Sequence, residues 1–365
     1  MNILFISRAT LYKDRGGDTV QVLNTASHLR ELGVTVTIRL CNEEIDYAPF
    51  DLIHFFNIIR PADILRHAGR SAKPFVISTI YVDYSEYEKK NRAGLAGLVF
   101  RIFPPDLIEY IKVIARWLVN GEKIVSPSYL LLGQKRSIRR LIRRCAMLLP
   151  NSHSEYERLK KNYGAGPAYK VVPNAIDPLL FEKKTPAAEG EPVRDPRLIL
   201  CVGRIEGRKN QLNLIHALNG THYELIIIGS PSANQTAYYQ SCREAAGANV
   251  SFVSSIPQET LIGYYGRAGV HVLPSWFETT GLSSLEAAAM GCRIVVTDKG
   301  DTREYFENYA YYCDPASPAS IRMAVDAAAG APANALQEKI FTHYTWSQAA
   351  QATLAAYREI IPGTY

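Results

Sequence analysis

Short apolar runs alternate with segments of helical spacing from Asn2 to Ile80. Four of these runs predict strands, at residues 3–7, 34–40, 51–56 and 74–80. The segment between the first two repeats apolar residues at helical spacing from Val22 to Leu32, and Gly33 is a typical C-terminal stop. Apolar strands that alternate with helices predict a parallel sheet covered on both faces.

The same alternation returns near residue 197. Further strands are predicted at residues 197–203, 224–229, 250–253, 270–275 and 293–298. The segment between the two alternations, residues 173–196, is rich in proline and charge, which is typical of a linker. The pattern therefore predicts an α/β chain of two doubly wound, Rossmann-like domains facing across a cleft. We place them at 1–173 and 174–345, and a last amphipathic helix at about 346–365 crosses back to the first.

Residues 89–145 depart from this rhythm. Two apolar segments flank Pro104 and Pro105, and the run from Lys135 to Arg144 has six basic and no acidic residues. Residues 1–172 hold 26 Lys+Arg against 16 Asp+Glu, a net charge of +10; the whole chain carries +6, so residues 173–365 carry −4. A basic half favours an anionic partner such as phosphate, an anionic membrane or nucleic acid.

The six cysteines include no CxxC pair, which indicates a reduced, cytoplasmic protein without a zinc site. The N-terminal apolar run is short and is followed by charge, so we do not expect a signal peptide. We also expect no membrane-spanning helix, because no apolar run approaches the length of about 20 residues that a span requires.

The segment PSWFETTGLSSLEAAAMG carries the strongest chemical pattern. A strand ends at Ser275, a loop carries Glu278, and a helix begins near residues 281–283 and bears Glu286. The free N–H groups of a helix N-terminus suit a phosphate, and carboxylates suit sugar or ribose hydroxyls. The alternative is structural, since Ser283-x-x-Glu286 is also a capping box and Glu278 could be a surface loop residue.

A second pattern follows another strand, at Gly203-Arg204 and Lys209. Carboxyl ends of parallel strands meet at one sheet edge, so these cations should lie near the Glu278 loop. Two cations can hold a diphosphate and stabilise it as a leaving group without a metal. The alternative is a basic loop in solvent.

Together these segments resemble the large family 4 (group 1) of glycosyltransferases. Glu278 and Glu286 match its E-x7-E motif, and the GR…KN loop matches as well. Residues 171–177, VVPNAID, resemble its V-I-P-N-G-V-D joint, with Ala175 in place of glycine. Gly229 matches its second nucleotide-side loop, and Gly16-Gly17 matches its N-terminal glycine loop.

The resemblance implies a GT-B fold and a retaining glycosyltransferase with a nucleotide-sugar donor in the C-terminal domain. It implies the following donor-binding residues: Gly17, Gly203, Arg204, Lys209, Gly229, Glu278, Thr280, Gly281, Leu282 and Glu286. Arg204 and Lys209 would bind the diphosphate, Glu278 the donor sugar and Glu286 the ribose, so Glu278, Arg204 and Lys209 are the catalytic candidates. Neither cofactor nor metal is expected.

One position departs from the family. Where many members carry a histidine that orients the donor sugar, this chain has Tyr81, with Asp83 nearby. The sugar-positioning role falls in doubt or passes to Tyr81, Asp83 or His54. A histidine at the end of a strand is more often a packed residue, so that alternative stays open for His54.

The acceptor is expected to be a lipid-linked or growing surface glycan, and the run from Lys135 to Arg144 suggests an anionic membrane surface. The alternative is a solvated basic helix. A nucleotide-sugar epimerase of the same fold and a non-catalytic binding protein are the competing functions. No module or interleaved aromatic pattern supports nucleic acid.

Overall fold

Two parallel sheets organise the chain, one in each of two compact units. The computed structural model describes residues 1–91, 105–120, 126–164, 166–182, 194–232 and 234–361. The first unit comprises Met1–Asn174 together with Trp346–Tyr365, and the second comprises Ala175–Thr345. The apolar segment at 94–103 and most of the linker, 183–193, lie outside the described residues.

The first unit contains a five-stranded sheet in the order β2-β1-β3-β4-β5, with every neighbouring pair parallel. Its strands are β1 (Asn2–Ser7), β2 (Thr35–Leu40), β3 (Leu52–Phe56), β4 (Phe75–Ser78) and β5 (Met147–Leu149). Its helices are α1 (Gly17–Glu31), α2 (Pro61–Arg70), α3 (Ser85–Asn91), α4 (Pro105–Asn120), α5 (Pro127–Arg144), α6 (His153–Tyr163) and the returning α15 (Trp346–Ile360). Strands β3, β4 and β5 are buried along their whole length, as expected for a sheet covered on both faces.

The second unit contains a six-stranded parallel sheet in the order β11-β10-β9-β6-β7-β8. Its strands are β6 (Asp195–Val202), β7 (Glu224–Ile228), β8 (Val250–Val253), β9 (Ala268–Leu273), β10 (Arg293–Thr297) and β11 (Tyr311–Cys313). Its helices are α7 (Pro178–Glu182), α8 (Gln211–Leu218), α9 (Thr236–Ala245), α10 (Gln258–Arg267), α11 (Leu282–Ala289), α12 (Thr302–Phe306), α13 (Pro318–Ala329) and α14 (Leu336–His343). Short 3₁₀ helices occupy Gly207–Lys209 and Glu307–Tyr309.

The helix α15 packs against α1, and its Tyr357 is fully buried in the first unit. Two doubly wound sheets are therefore confirmed, and the last helix belongs to the unit that begins the chain. In each sheet the strand order reverses once, between β1 and β3 in the first unit and between β6 and β9 in the second. Ligands of doubly wound folds bind at such reversals, beyond the carboxyl ends of the strands.

Candidate functional site

The reversal point of the second sheet brings together the loops that follow β6 and β9. Lys209 ends the 3₁₀ turn after β6, and Glu278 lies in the loop after β9. The Nζ atom of Lys209 lies 2.5 Å from Oε1 of Glu278, and both side chains are largely buried. The structure therefore places these two predicted residues in direct contact, and neither lies in an open solvent-exposed loop.

Arg204 lies in the loop after β6, where its guanidinium faces the buried carboxylate of Glu206. Glu206 is 3% exposed, and its carboxylate lies 3.0 Å from Arg208 and 4.0 Å from Arg204. Burial alone would raise the pKa of Glu206, but Arg208, Arg204 and Lys209 lower it below its usual value. Glu206 therefore stays ionised and holds the two guanidinium groups at the sheet edge. The Arg204 side chain, 42% exposed, keeps access to solvent.

Asn210 ties three loops of this edge together. It adopts the left-handed conformation with φ 63°, and its side-chain amide donates to the carbonyl oxygens of Pro274, at 3.1 Å, and Pro315, at 2.7 Å. The backbone amide of Trp276 also donates to the carbonyl of Arg208, at 2.9 Å. These hydrogen bonds hold the loops after β6, β9 and β11 in place relative to one another.

Two glycines are required where these loops touch. A Cβ atom at Gly229 would lie 2.0 Å from the carbonyl oxygen of Gly203, and φ at Gly229 is +151°. A Cβ atom at Gly300, in the loop after β10, would lie 1.9 Å from the carbonyl oxygen of Glu278. Only glycine permits such close backbone approach, so these positions set the spacing of the site loops.

The helix α11 begins differently from the capping box that the sequence allowed. Gly281 is its N-cap in the left-handed region with φ 74°, and no side chain caps the helix. The hydroxyl of Ser283 instead donates to the carbonyl of Val202 at the end of β6, at 2.9 Å. The capping-box interpretation of Ser283 and Glu286 is therefore wrong, because a long-range backbone acceptor takes the serine hydroxyl.

Glu286 lies one turn into α11 and is held by α10. The hydroxyl of Tyr265 donates to Oε2 at 3.1 Å, and the side-chain amide of Gln258 donates to Oε1 at 2.9 Å. Burial raises the pKa of Glu286 to about 7, although these two hydrogen bonds lower it in part. The neighbouring residues Thr280 and Leu282 lie at the start of the helix, with Thr280 buried.

The remaining predicted residues lie in the first unit. Gly17 is the first residue of α1, after a loop in which Arg8 forms a 2.6 Å ion pair with Asp18. The Arg8 guanidinium also donates to backbone and hydroxyl groups of Thr10 and to the carbonyl of Asp14. Its donors are directed into the loop, so this glycine loop is ordered by its own side chains.

His54 is a packed residue, which was the alternative left open. It is 1% exposed, and its ring nitrogens contact the Tyr357 hydroxyl, at 2.6 Å, and the Ser78 hydroxyl, at 2.8 Å. Burial lowers the pKa of His54 to about 3. Since both nitrogens are engaged inside the unit, the structure does not support a sugar-positioning role for His54.

Tyr81 is likewise part of the core of the first unit. Its hydroxyl accepts a hydrogen bond from Asn162 at 2.6 Å, and its ring packs edge-on against Tyr163. Asp83 is partly exposed and accepts from the amide of Ser85, at the start of α3. The proposal of Tyr81 as a substitute for the family histidine therefore needs correction, because its side chain is directed inward.

Several contributing residues were missed at the sequence level. Residues 299–301 hold the Glu278 loop through backbone bonds: Glu278 donates to the carbonyl of Lys299, and Asp301 donates to that of Glu278. In the sequence, Gly300 and Asp301 lie just after the strand predicted at 293–298, and this position could have marked them as residues of the site edge. Tyr265 and Gln258 stand two turns apart on α10, and nothing local marks their partner in α11.

The basic run forms the exposed face of α5. Its exposed residues are Lys135, Arg136, Arg139, Arg140, Arg143 and Arg144, whereas the intervening Ser137, Ile138, Leu141 and Ile142 are buried. Among the described residues, no acidic side chain forms an ion pair with any of the six. Two of them bind backbone carbonyls: Arg139 that of Tyr163 and Arg144 that of Ala68.

All six cysteines are buried and unpaired. In the parts of the chain that the structure describes, no cluster of three His, Cys, Asp or Glu side chains is arranged to hold a metal ion. Within those same ranges, every helix is too short or too polar to traverse a bilayer.

Comparison with known proteins gives a match between residues 183–337 and the family model described as glycosyl transferases group 1. Glycogen synthase of Mycobacterium tuberculosis is 29% identical over 231 residues, 60% of this chain and 55% of the synthase, so the match spans about half of that relative. D-inositol 3-phosphate glycosyltransferase of Frankia alni is 26% identical over 334 residues, covering 80% of this chain and 79% of its own.

Among solved structures, sucrose-phosphate synthase from Thermosynechococcus elongatus superimposes with a TM-score of 0.73 at 16% identity, over 99% of both chains. HepE of Anabaena, solved in complex with UDP-glucose, gives a TM-score of 0.68 at 13% identity, over 99% of this chain and 100% of its own. Likeness at this identity is a likeness of fold.

Proposed function

We propose that the protein is a retaining, metal-independent glycosyltransferase, because residues 183–337 match the family model of the group 1 glycosyl transferases and the chain has the GT-B fold. It would move a sugar from a nucleoside diphosphate sugar to an acceptor. The observation that carries this proposal is the contact of Lys209 with Glu278 where the second sheet reverses, beside Arg204 and the start of α11.

Each charged group at this edge has a role suited to its chemistry. Lys209 and Arg204 bind the diphosphate, and the free N–H groups at the N-terminus of α11 contribute a partial positive charge beside it. Glu278 accepts hydrogen bonds from hydroxyls of the donor sugar, and Glu286 accepts them from the ribose. Gly203, Gly229 and Gly281 let the backbone approach these groups closely.

In the proposed reaction, the acceptor oxygen replaces the diphosphate oxygen at the anomeric carbon of the sugar, and the configuration of that carbon is retained. The bond between the anomeric carbon and the diphosphate oxygen breaks as the bond to the acceptor oxygen forms on the same face. The acceptor proton passes to an oxygen of the departing diphosphate. Lys209 and Arg204 stabilise the charge that develops there, so positive side chains do the work that a divalent cation does in other transferases.

The donor base is the first question that binding experiments can answer. HepE, which shares the fold, was solved with UDP-glucose, and this makes UDP the first probe. We propose thermal unfolding with UDP, GDP, dTDP, ADP and CDP, each in EDTA. Occupancy at 100 times the dissociation constant adds about 2.7 kcal/mol of stability. One nucleotide should stabilise the wild type and act more weakly on Glu286→Ala.

The matched control is Glu338→Ala, which removes the same side chain from an exposed position of α14. It should respond to the nucleotide as the wild type does. If none of the nucleotides stabilises the protein, the donor site is wrongly assigned. If a nucleotide sugar is converted to an isomer without any acceptor, the epimerase alternative replaces transfer.

For the acceptor we propose a lipid-linked or growing surface glycan, with the protein peripheral on the cytoplasmic face of a membrane. The exposed basic face of α5 supports this, because its six cations have no acidic partners among the described residues. Two apolar side chains of these helices are also exposed: Leu131, 86% exposed, near the start of α5, and Ile111, 49% exposed, on α4. The Tyr110 hydroxyl joins these two helices through the Leu130 carbonyl, at 2.7 Å.

Vesicle flotation tests this surface. Each Lys or Arg near an anionic bilayer contributes about 1 kcal/mol, so Arg136→Gln/Arg140→Gln should weaken binding on the order of tenfold or more at low salt. Lys160→Gln/Lys161→Gln removes the same charge from exposed positions of α6 and should bind as the wild type does. Equal binding of both double variants would contradict the assignment of this face.

A further inference from the structure

The Glu286 carboxylate receives one hydrogen bond on each oxygen, both from α10. Gln258 and Tyr265 are two helical turns apart, so both side chains lie on the face directed at α11. Tyr265 is fully buried and Gln258 is exposed. An ionised carboxylate accepts about four hydrogen bonds, so roughly two acceptor positions remain. That number matches the two hydroxyls of a ribose.

We propose that Tyr265 and Gln258 are positioning residues, which orient the Glu286 carboxylate toward a ribose diol. This inference rests on the proposed function, because it takes Glu286 as the ribose contact. It goes further by assigning two residues outside the matching motif, and by giving the site a titrating group.

The electrostatic surroundings of Glu286 support the titration. Burial raises the pKa of Glu286 to about 7, Tyr265 and Gln258 lower it, and no other neighbour contributes to the shift. Titratable groups on the elements packed against α11, besides Tyr265, are His271 on β9, Cys292 and Arg293 at β10, Glu338, Lys339 and His343 on α14, and Glu259, Tyr264 and Arg267 on α10. The burial that raises this pKa is therefore opposed only by two neutral hydrogen-bond donors.

Protonation changes what this carboxyl group offers a ribose. The protonated Glu286 side chain accepts fewer hydrogen bonds than the carboxylate, and its own O–H group is a donor that needs an acceptor. With a midpoint near pH 7, about a tenth of the groups are ionised at pH 6 and about nine tenths at pH 8. Apparent affinity scales with the competent fraction, so UDP should bind about tenfold more weakly at pH 6 than at pH 8.

Calorimetric titration with UDP between pH 5.5 and 8.5 measures this dependence. Glu286→Gln reports the ionisation of the phosphate alone, and its profile is subtracted from the others. Tyr265→Phe removes one donor and should move the midpoint upward by about one pH unit. Gln258→Ala, at an exposed position, should move it in the same direction. Tyr264→Phe, which loses a hydroxyl from the same helix, should leave it unchanged.

A second readout needs no ligand. The carboxyl ¹³C shift of Glu286, identified by its loss in Glu286→Gln, gives the midpoint of ionisation in the free protein. It should lie near pH 7 in the wild type and higher in Tyr265→Phe and Gln258→Ala. Midpoints equal to the wild type in both variants would overturn the positioning roles, even if UDP does not bind.

The two levels of the proposal fail separately. If Glu286→Gln binds UDP with the affinity and pH profile of the wild type, Glu286 is not the ribose contact and the proposed donor site is wrong. If Glu286→Gln weakens binding and flattens the profile but Tyr265→Phe and Gln258→Ala do not shift it, only the positioning inference is overturned.

Discussion

Lys209 and Glu278, which are 69 residues apart in the chain, form an ion pair of 2.5 Å at the reversal of the second sheet. The cation proposed for the diphosphate is thus paired with the carboxylate proposed for the sugar. Each charge is compensated while it is largely removed from water. A donor would bring phosphate oxygens to Lys209 and hydroxyls to Glu278, so that both groups exchange one partner for another.

Lys209→Met should destabilise the free protein, because it leaves the Glu278 carboxylate, 7% exposed, without its cation. We expect a loss of roughly 1–3 kcal/mol in the free energy of unfolding. Urea titration at pH 7 measures it. Lys209→Met/Glu278→Gln removes both charges and should recover part of the loss. A double variant less stable than the single one would show that the pair is not what holds these loops.

Gly229→Ala should unfold more readily than Gly203→Ala. Both positions have positive φ, but only the Cβ atom at Gly229 meets backbone, whereas the space around one at Gly203 is open within 4 Å. Overpacking typically costs about 1–3 kcal/mol. The difference between the two variants in the midpoint of thermal unfolding isolates the clash from the shared conformational strain. Equal midpoints would mean that the two loops separate at little cost.

The stability of the protein should fall as the solution is acidified below pH 6.5, in part because of His54. Its pKa in the folded state is about 3, so between pH 6.5 and 3 the unfolded chain binds a proton that the folded chain does not. One such proton gives a slope of about 1.4 kcal/mol per pH unit, with stability rising as pH rises.

His54→Asn tests this assignment. It should lower stability at pH 7, since the buried hydroxyl groups of Tyr357 and Ser78 lose a well-placed partner, and it should flatten the slope between pH 6 and 4. Chemical unfolding measured across this range gives both quantities. His271 is equally buried with a pKa of about 3, so part of the slope should persist. An unchanged slope would mean that groups other than His54 cause the loss of stability in acid.

Asn210→Ala should loosen three loops at once. The substitution removes two hydrogen bonds from Asn210 and places alanine in the left-handed region, which together cost about 2–4 kcal/mol. Asn210→Gly keeps the backbone conformation and should cost less. Asn213→Ala loses a single bond to the Pro315 carbonyl, at 2.9 Å, and is the matched control. Amide exchange in residues 274–281 should quicken in the Asn210 variants but not in the control.

The strand pattern predicted both sheets, because a buried parallel strand is a local apolar run whose partners follow from βαβ connectivity. It also predicted that Arg204 and Lys209 would share a sheet edge with Glu278. The inward direction of Tyr81 was not predictable, because its hydrogen-bond partner Asn162 lies 81 residues away in the sequence, on α6. The capping-box interpretation of Ser283 failed for a related reason. Its hydroxyl donates to the carbonyl of Val202, which is distant in the sequence, and no sequence pattern reveals that contact.

The pairing of His54 with Tyr357 imposes an order on biosynthesis. The two residues are 303 positions apart, so at 5–20 residues per second the ribosome needs roughly 15–60 s to supply the second after the first. During that interval the whole of Ala175–Thr345 is made, while the sheet that begins the chain still lacks α15. The first unit is therefore completed only after the second has been synthesised, and the face of α1 that α15 covers stays exposed to aggregation in the nascent chain during that interval.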